Sequence, residues 1–201
     1  MKANATPRRR TPADRRKPIL YVTLGVIAVA LVVTVAVLSR NPSVVPQAAT
    51  ESHAQATIKV GDQAPPFSVS TTAGPFDLAT AQTPVFLEVF ATWCPHCQHE
   101  TKIINQLYDK YGKQIQIIAV SGSNVGGDGN TPESQADVIA FVGKFGVRYP
   151  IAFDPDLKVA GQYMQSGFPT IVVIKANKQI SYIGDGEIPE ATLAAAIKAA
   201  L

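Results

Sequence analysis

The sequence predicts an α/β protein: a mixed β-sheet flanked by helices on both faces, with a hairpin extension ahead of it and one hydrophobic segment near the amino terminus. Three observations carry that prediction. Short apolar runs alternate with stretches of helical periodicity from residue 85 onward, and an uncharged stretch occupies residues 19–38. A pair of cysteines three positions apart stands where an apolar run gives way to a helical pattern.

The amino-terminal part is read from charge and length. Residues 19–38 hold only Val, Ala, Leu, Ile, Tyr, Thr and Gly, enough to cross a bilayer core of about 30 Å as a helix. Lys2, Arg8, Arg9, Arg10, Arg15, Arg16 and Lys17 against Asp14 give residues 1–18 a charge of +6, whereas residues 41–201 sum to −4. The overall +3 therefore gives no reason to expect a nucleic-acid partner. The basic cluster predicts a cytoplasmic tail at 1–18, a single-pass helix in the lipid bilayer at 19–38, and everything after it outside a bacterial-type cell membrane. A cleaved signal peptide fits less well, because the span exceeds the usual apolar core and no A-x-A site follows Leu38 closely. A twin-arginine signal at Arg15 and Arg16 is disfavoured by the long apolar run behind it. No cysteine precedes or lies within the span, which excludes a lipidated cysteine. Residues 39–57, with Pro42, Pro46 and scattered Ser, Thr and Gln, read as an extracytoplasmic tether, and 58–201 as the folded domain.

Within 58–201 each element has its own signal. Residues 67–70 and 76–78 flank Ala73-Gly74-Pro75 and predict a hairpin. Residues 85–91 are an apolar run short enough for a buried strand, and Pro95 suits the first turn of the helix that follows, with Ile103, Ile104, Leu107 and Tyr111 at helical spacing up to Gly112. A second buried strand is expected at 115–120, then a glycine-rich segment at 122–129, read as a flexible connection. A helix follows from about Pro132 to Phe145, with Val138, Ile139, Phe141, Val142 and Phe145 as its apolar set. After residues 149–153 come a short helix near 157–164 and an antiparallel pair at 170–175 and 179–183, turning at Ala176 and Asn177. A final helix opens at Pro189 and Glu190 with Leu193, Ile197 and Leu201 as its buried stripe. Strand, helix, strand, helix implies parallel strands with crossovers, and the closing strand pair makes the sheet mixed.

The chemistry lies in Trp93-Cys94-Pro95-His96-Cys97. Free amides and the positive end of a helix dipole favour a thiolate at Cys94, and the thiolate is the attacking species in disulfide exchange. Cys97 falls one turn on, within reach of a mixed disulfide formed by Cys94, so Cys94 is read as nucleophile and Cys97 as resolver. A zinc half-site is the competing reading, but only two cysteines exist, His53 is in the tether, and His96 and His99 share one helical turn. A purely structural disulfide would close too short a loop to remove much chain entropy.

The run Val89-Phe90-Ala91-Thr92-Trp93-Cys94-Pro95-His96-Cys97 resembles the active-site strand and motif of the TlpA-like (ResA-like) branch of the thioredoxin superfamily. The resemblance extends over 60–201, through the opening Val60-Gly61-Asp62-Gln63-Ala64-Pro65-Pro66-Phe67 and through Phe168-Pro169-Thr170 before a late strand. It implies a thioredoxin-like fold. It also implies a cis peptide at Pro169, substrate contacts at Phe168, Pro169 and Thr170, and Trp93 as a surface platform beside Cys94, with core packing as the alternative for the tryptophan. Glu88 lies in the middle of an apolar run, where a charge is costly unless used or paired. In thioredoxins a buried acid six residues before the first cysteine carries protons for the resolving cysteine, which makes Glu88 the candidate general acid/base; a solvent-facing acid is the alternative. Glu100, three residues after Cys97, matches an acid that tunes the cysteines in TlpA-like reductases, against the plain reading of an exposed helix residue. Pro95 and His96 depart from the thioredoxin dipeptide and resemble that of the periplasmic oxidant DsbA, so they are read as redox tuning.

The resemblance implies a membrane-tethered reductase of disulfides in exported proteins or apocytochromes. Its substrates are protein thiols and disulfides, its electrons come from a membrane thiol carrier, and it has no cofactor beyond a redox-active Cys94–Cys97 disulfide. A DsbA-like oxidant or isomerase is the alternative on the same residues. A peroxiredoxin is disfavoured because Leu87 and Ala91 stand where Pro and Thr or Ser are needed. A non-enzymatic scaffold would tolerate loss of both cysteines.

Overall fold

The computed structural model describes residues 58–201. The expected tail (1–18), membrane helix (19–38) and tether (39–57) lie outside the described residues, within which no helix is long and apolar enough to cross a membrane.

The described elements are β1 (Ser68–Thr71), β2 (Gly74–Asp77), β3 (Val85–Phe90), α1 (Pro95–Tyr111), β4 (Gln116–Ser121), α2 (Gln135–Phe145), β5 (Ile151–Phe153), α3 (Lys158–Tyr163), β6 (Thr170–Ile174), β7 (Ile180–Asp185) and α4 (Glu190–Ala200). They build a seven-stranded sheet in the order β2-β1-β5-β4-β3-β6-β7. β3, β4 and β5 are parallel, and β6, β7 and the β1–β2 hairpin are antiparallel to their neighbours. The hairpin attaches to β5 through a single pair, Thr71 with Ala152, and its turn uses Gly74 at φ 116°.

β3 is buried on both faces, as a central strand covered by helices must be. Strand alternation sends Phe86 and Phe90 into the layer packed by α1, α2 and α4, and Leu87 and Val89 into the layer of α3, Phe67 and Tyr163. Glu88 has the parity of Phe86 and Phe90, so its carboxylate enters the α1 layer. On α1 the buried positions Cys97, Glu100, Thr101, Ile104, Asn105, Leu107 and Tyr111 form one stripe at helical spacing. The second cysteine and Glu100 therefore face the sheet that carries Glu88.

Three expectations are corrected. α2 begins at Gln135 rather than near Pro132, because Ser134 caps it in a reciprocal box with Asp137; Pro132 stays in the approach to the cap. Ile139 is 61% exposed and lies off the face that buries Val138 and Phe141. Leu201 is 53% exposed, because α4 ends at Ala200 and the stripe closes on Leu193, Ile197 and Ala200. The helix near 157–164 and the closing antiparallel pair stand where the spacing places them, within a residue or two.

Candidate active site

Cys94 is the N-cap of α1, extended at φ −72° and ψ 119°, with Pro95 opening the first turn. Its amide donates to Ala91 O at 3.1 Å, which folds the strand end back under the helix. Only 5% of Cys94 is exposed, and Cys97 is fully buried one turn behind it. Both are free thiols. The Cys94 thiol donates to the Phe168 carbonyl at 3.6 Å, and the Phe168–Pro169 peptide is cis.

The segment carrying that carbonyl is tightly held. Thr170 is buried, and its hydroxyl lies 2.6 Å from Asp185 Oδ1 and 2.8 Å from Gly167 O while accepting from the Gln165 amide. The Gly186 amide donates to Pro169 O. Trp93 lies at the surface beside Cys94, 40% exposed, with its ring edge-on to Phe168 at 6.1 Å. From Phe168 a groove runs past Gly122, Ser123, Leu157, Ala160 and Met164.

Behind Cys97 stand two buried acids. Glu88 accepts from the Tyr149 hydroxyl at 3.5 Å through Oε2, and its Oε1 has no partner. Burial holds its pKa well above the usual carboxylate value, the neighbouring Glu100 adds to that, and the Tyr149 hydrogen bond opposes it. Glu100 accepts from the Ile188 amide at 3.3 Å through Oε2, with Oε1 again unpartnered. Burial pushes it up to about 7, against the Ile188 amide and with help from Glu187. Burial also drives the Cys97 thiol up, and the charge of Glu88 reinforces the shift. A thiol so shifted needs a base to become a thiolate. Glu88 is the ionisable neighbour whose charge Cys97 feels most.

His96 is paired with a carboxylate. Its Nδ1 lies 2.7 Å from Glu187 Oε1, and His99 Nδ1 lies 3.1 Å from the same oxygen. The charge that a histidine between the cysteines would lend to the thiolate is thus shared with a carboxylate from the loop after β7.

Two glutamates in this neighbourhood carry no local sequence signal. Glu187 is one. Glu133 is the other: it is buried and accepts from the Thr92 amide at 2.6 Å, the Thr92 hydroxyl at 2.5 Å and the Ser121 hydroxyl. It ties the end of the glycine-rich segment to the residue before Trp93. The Trp93 indole donates to Val125 O at 2.6 Å and lies 3.1 Å from Ser123 Oγ. Asp128 accepts from the amides of Asn130 and Thr131, and Gly126 donates to Thr131 O. The expectation of a flexible connection is therefore replaced by a segment bonded to the cysteine motif. Among the described residues no group of three or more His, Cys, Asp or Glu could hold a metal ion.

Comparison with known proteins agrees with this geometry. A family model described as Redoxin matches residues 59–198. The chain is 30% identical over 126 residues to the thiol-disulfide oxidoreductase ResA of Bacillus anthracis, covering 61% of this chain and 68% of that one. It is 33% identical over 132 residues to the ResA of Geobacillus thermodenitrificans, covering 64% and 71%. Among solved structures, a Chlorobium tepidum protein described as a candidate thiol:disulfide interchange protein DsbE superposes with a TM-score of 0.62 at 26% identity, over 72% of this chain and 99% of that one. A second Chlorobium tepidum thiol:disulfide interchange protein, at 23% identity, shares the fold with a TM-score of 0.58 over 71% and 98%.

Proposed function

The chain belongs to the redoxin family and is a thiol-disulfide oxidoreductase of thioredoxin-like fold, and from that premise we propose that it works as a reductase held outside a cell membrane. Residues 19–38 anchor it in the bilayer, and its substrates are disulfides of exported proteins or apocytochromes. The observation that carries the direction of flow is the pairing of His96 with Glu187. An oxidant draws its driving force from stabilising the thiolate, and here the nearby imidazole is engaged by a carboxylate while Cys94 donates to a carbonyl.

In the forward step the Cys94 thiolate attacks one sulfur of a substrate disulfide. A Cys94–substrate mixed disulfide forms, and the displaced substrate sulfur leaves as a thiolate that takes a proton. The substrate chain lies along the Phe168 and Pro169 backbone, with Trp93 and Thr170 bounding the site. Cys97 then passes its proton to Glu88 and attacks Cys94 Sγ, so that the Cys94–Cys97 bond forms and the second substrate sulfur is released and protonated. Two electrons have moved to the substrate. A membrane thiol carrier returns them by reducing the Cys94–Cys97 disulfide. Glu100, buried beside this path, tunes the proton affinity of Glu88.

The Pro95-His96 dipeptide between the cysteines favours the second reading, a DsbA-like oxidant or isomerase, in which the same bonds exchange in the opposite sense. Equilibrating the full chain in glutathione buffers and following Trp93 fluorescence separates the two. A midpoint near or below about −250 mV is expected for the reductase, and one of about −120 to −180 mV would transfer the assignment to the oxidant.

A further inference from the structure

We propose that Glu187 is a positioning residue for Glu100: clasped by His96 and His99, it latches the loop between β7 and α4 onto the first turns of α1, which places the Ile188 amide on the buried carboxylate and a compensated charge beside it. The idea rests on the reading of Glu100 as part of the proton-handling site. Two independent contacts join the same loop to the same helix, one exposed and one buried. Glu187 meets the two imidazoles at 2.7 and 3.1 Å, and the very next residue donates its amide to Glu100 at 3.3 Å. Being adjacent in the chain, the Glu187 side chain and the Ile188 amide are held together, so pinning one restrains the other.

The ionisable groups facing Glu100 are Glu88 from β3, Tyr182 from β7 and Glu187 from the loop, with Cys97 on its own helix. Of these, Glu187 is the one that is both substantially exposed and bonded to two imidazoles, so its surroundings are the ones that solvent can reach. Its imidazole partners hold Glu187 ionised below the usual carboxylate range. A surface ion pair by itself stabilises a protein little. Here its effect is read through a neighbour that has no water to screen it, because Glu100 is fully buried.

The test is the titration of the Glu100 side chain, followed by carboxyl carbon NMR on the full chain with labelled glutamate and assigned by its loss in E100Q. In E187Q the hydrogen-bonding shape of the latch is kept and its charge removed, so the Glu100 midpoint moves down in pH. In H96A/H99A the clasp is removed while Glu187 remains, so the Ile188 amide is held less firmly on Glu100, the midpoint moves up and that amide exchanges with deuterium faster. The downward shift in E187Q shrinks in about 1 M salt, where screening acts over about 3 Å. Shifts of the same sign in both variants, or none in either, overturn the proposal. The parent reading fails separately: if Glu100 titrates as described but E100Q leaves the pH profile of disulfide exchange unchanged, Glu100 is positioned by Glu187 yet handles no protons for the cysteines.

Discussion

Glu88 and Glu133 are both buried glutamates within the same domain, and their surroundings are opposite. Glu133 accepts hydrogen bonds from an amide and two hydroxyls, so both of its oxygens are partnered. Glu88 has one long hydrogen bond and an oxygen with none. A carboxyl group with every oxygen partnered fixes geometry, whereas burial drives the under-partnered Glu88 towards its neutral form. Under the proposed mechanism, the difference separates the part of the site that holds the motif in place from the part that would move protons through it.

The largest effect that bears on this contrast comes from Cys97. C97S should abolish turnover yet leave Cys94 able to form a mixed disulfide with a substrate, detectable by mass spectrometry; sustained turnover would remove Cys97 from the resolving step. Next, E88Q should slow disulfide exchange by about 10²-fold, the lower range for losing a general base, without a loss of thermal stability. If E88Q instead lowered the melting temperature and left the rate alone, Glu88 would belong with Glu133.

For Glu133 the expectation is reversed. E133A strands the Thr92 amide and two hydroxyls and should destabilise the protein by roughly 3 kcal/mol in denaturant titrations, with the redox midpoint little changed. A shift of the midpoint with unaltered stability would make Glu133 an electrostatic rather than a structural group.

The smallest effect concerns pH. Glu100 is held up to about 7 in the folded protein, above its usual value, so its contribution to stability is complete below about pH 4.5 and is lost as pH rises through about 7. Unfolding measured at pH 5 and at pH 8 should therefore show E100Q gaining on the parent by about 2 kcal/mol at the higher pH. Equal offsets at both pH values would place the Glu100 carboxyl in an ordinary environment.

The sequence by itself determined which segments are strands and helices and where the reactive sulfurs stand. Apolar runs such as 85–90, Pro95 behind Cys94 and the periodicity of α1 are local signals, and local backbone sterics and burial are enough to decode them. Glu88 was legible too, because a lone charge in an apolar run is anomalous at any register. What tertiary structure decided are meetings between distant residues: Glu133 with Thr92, 41 positions apart, and Glu187 with His96, 91 positions apart. It also decided the faces: Ile139 satisfies the helical pattern yet points to solvent, and Leu201 falls beyond the last turn of its helix. Periodicity says that a face exists, but the angle at which a helix packs and the path of its loops choose which residues that face covers and which polar groups its neighbours bring to them.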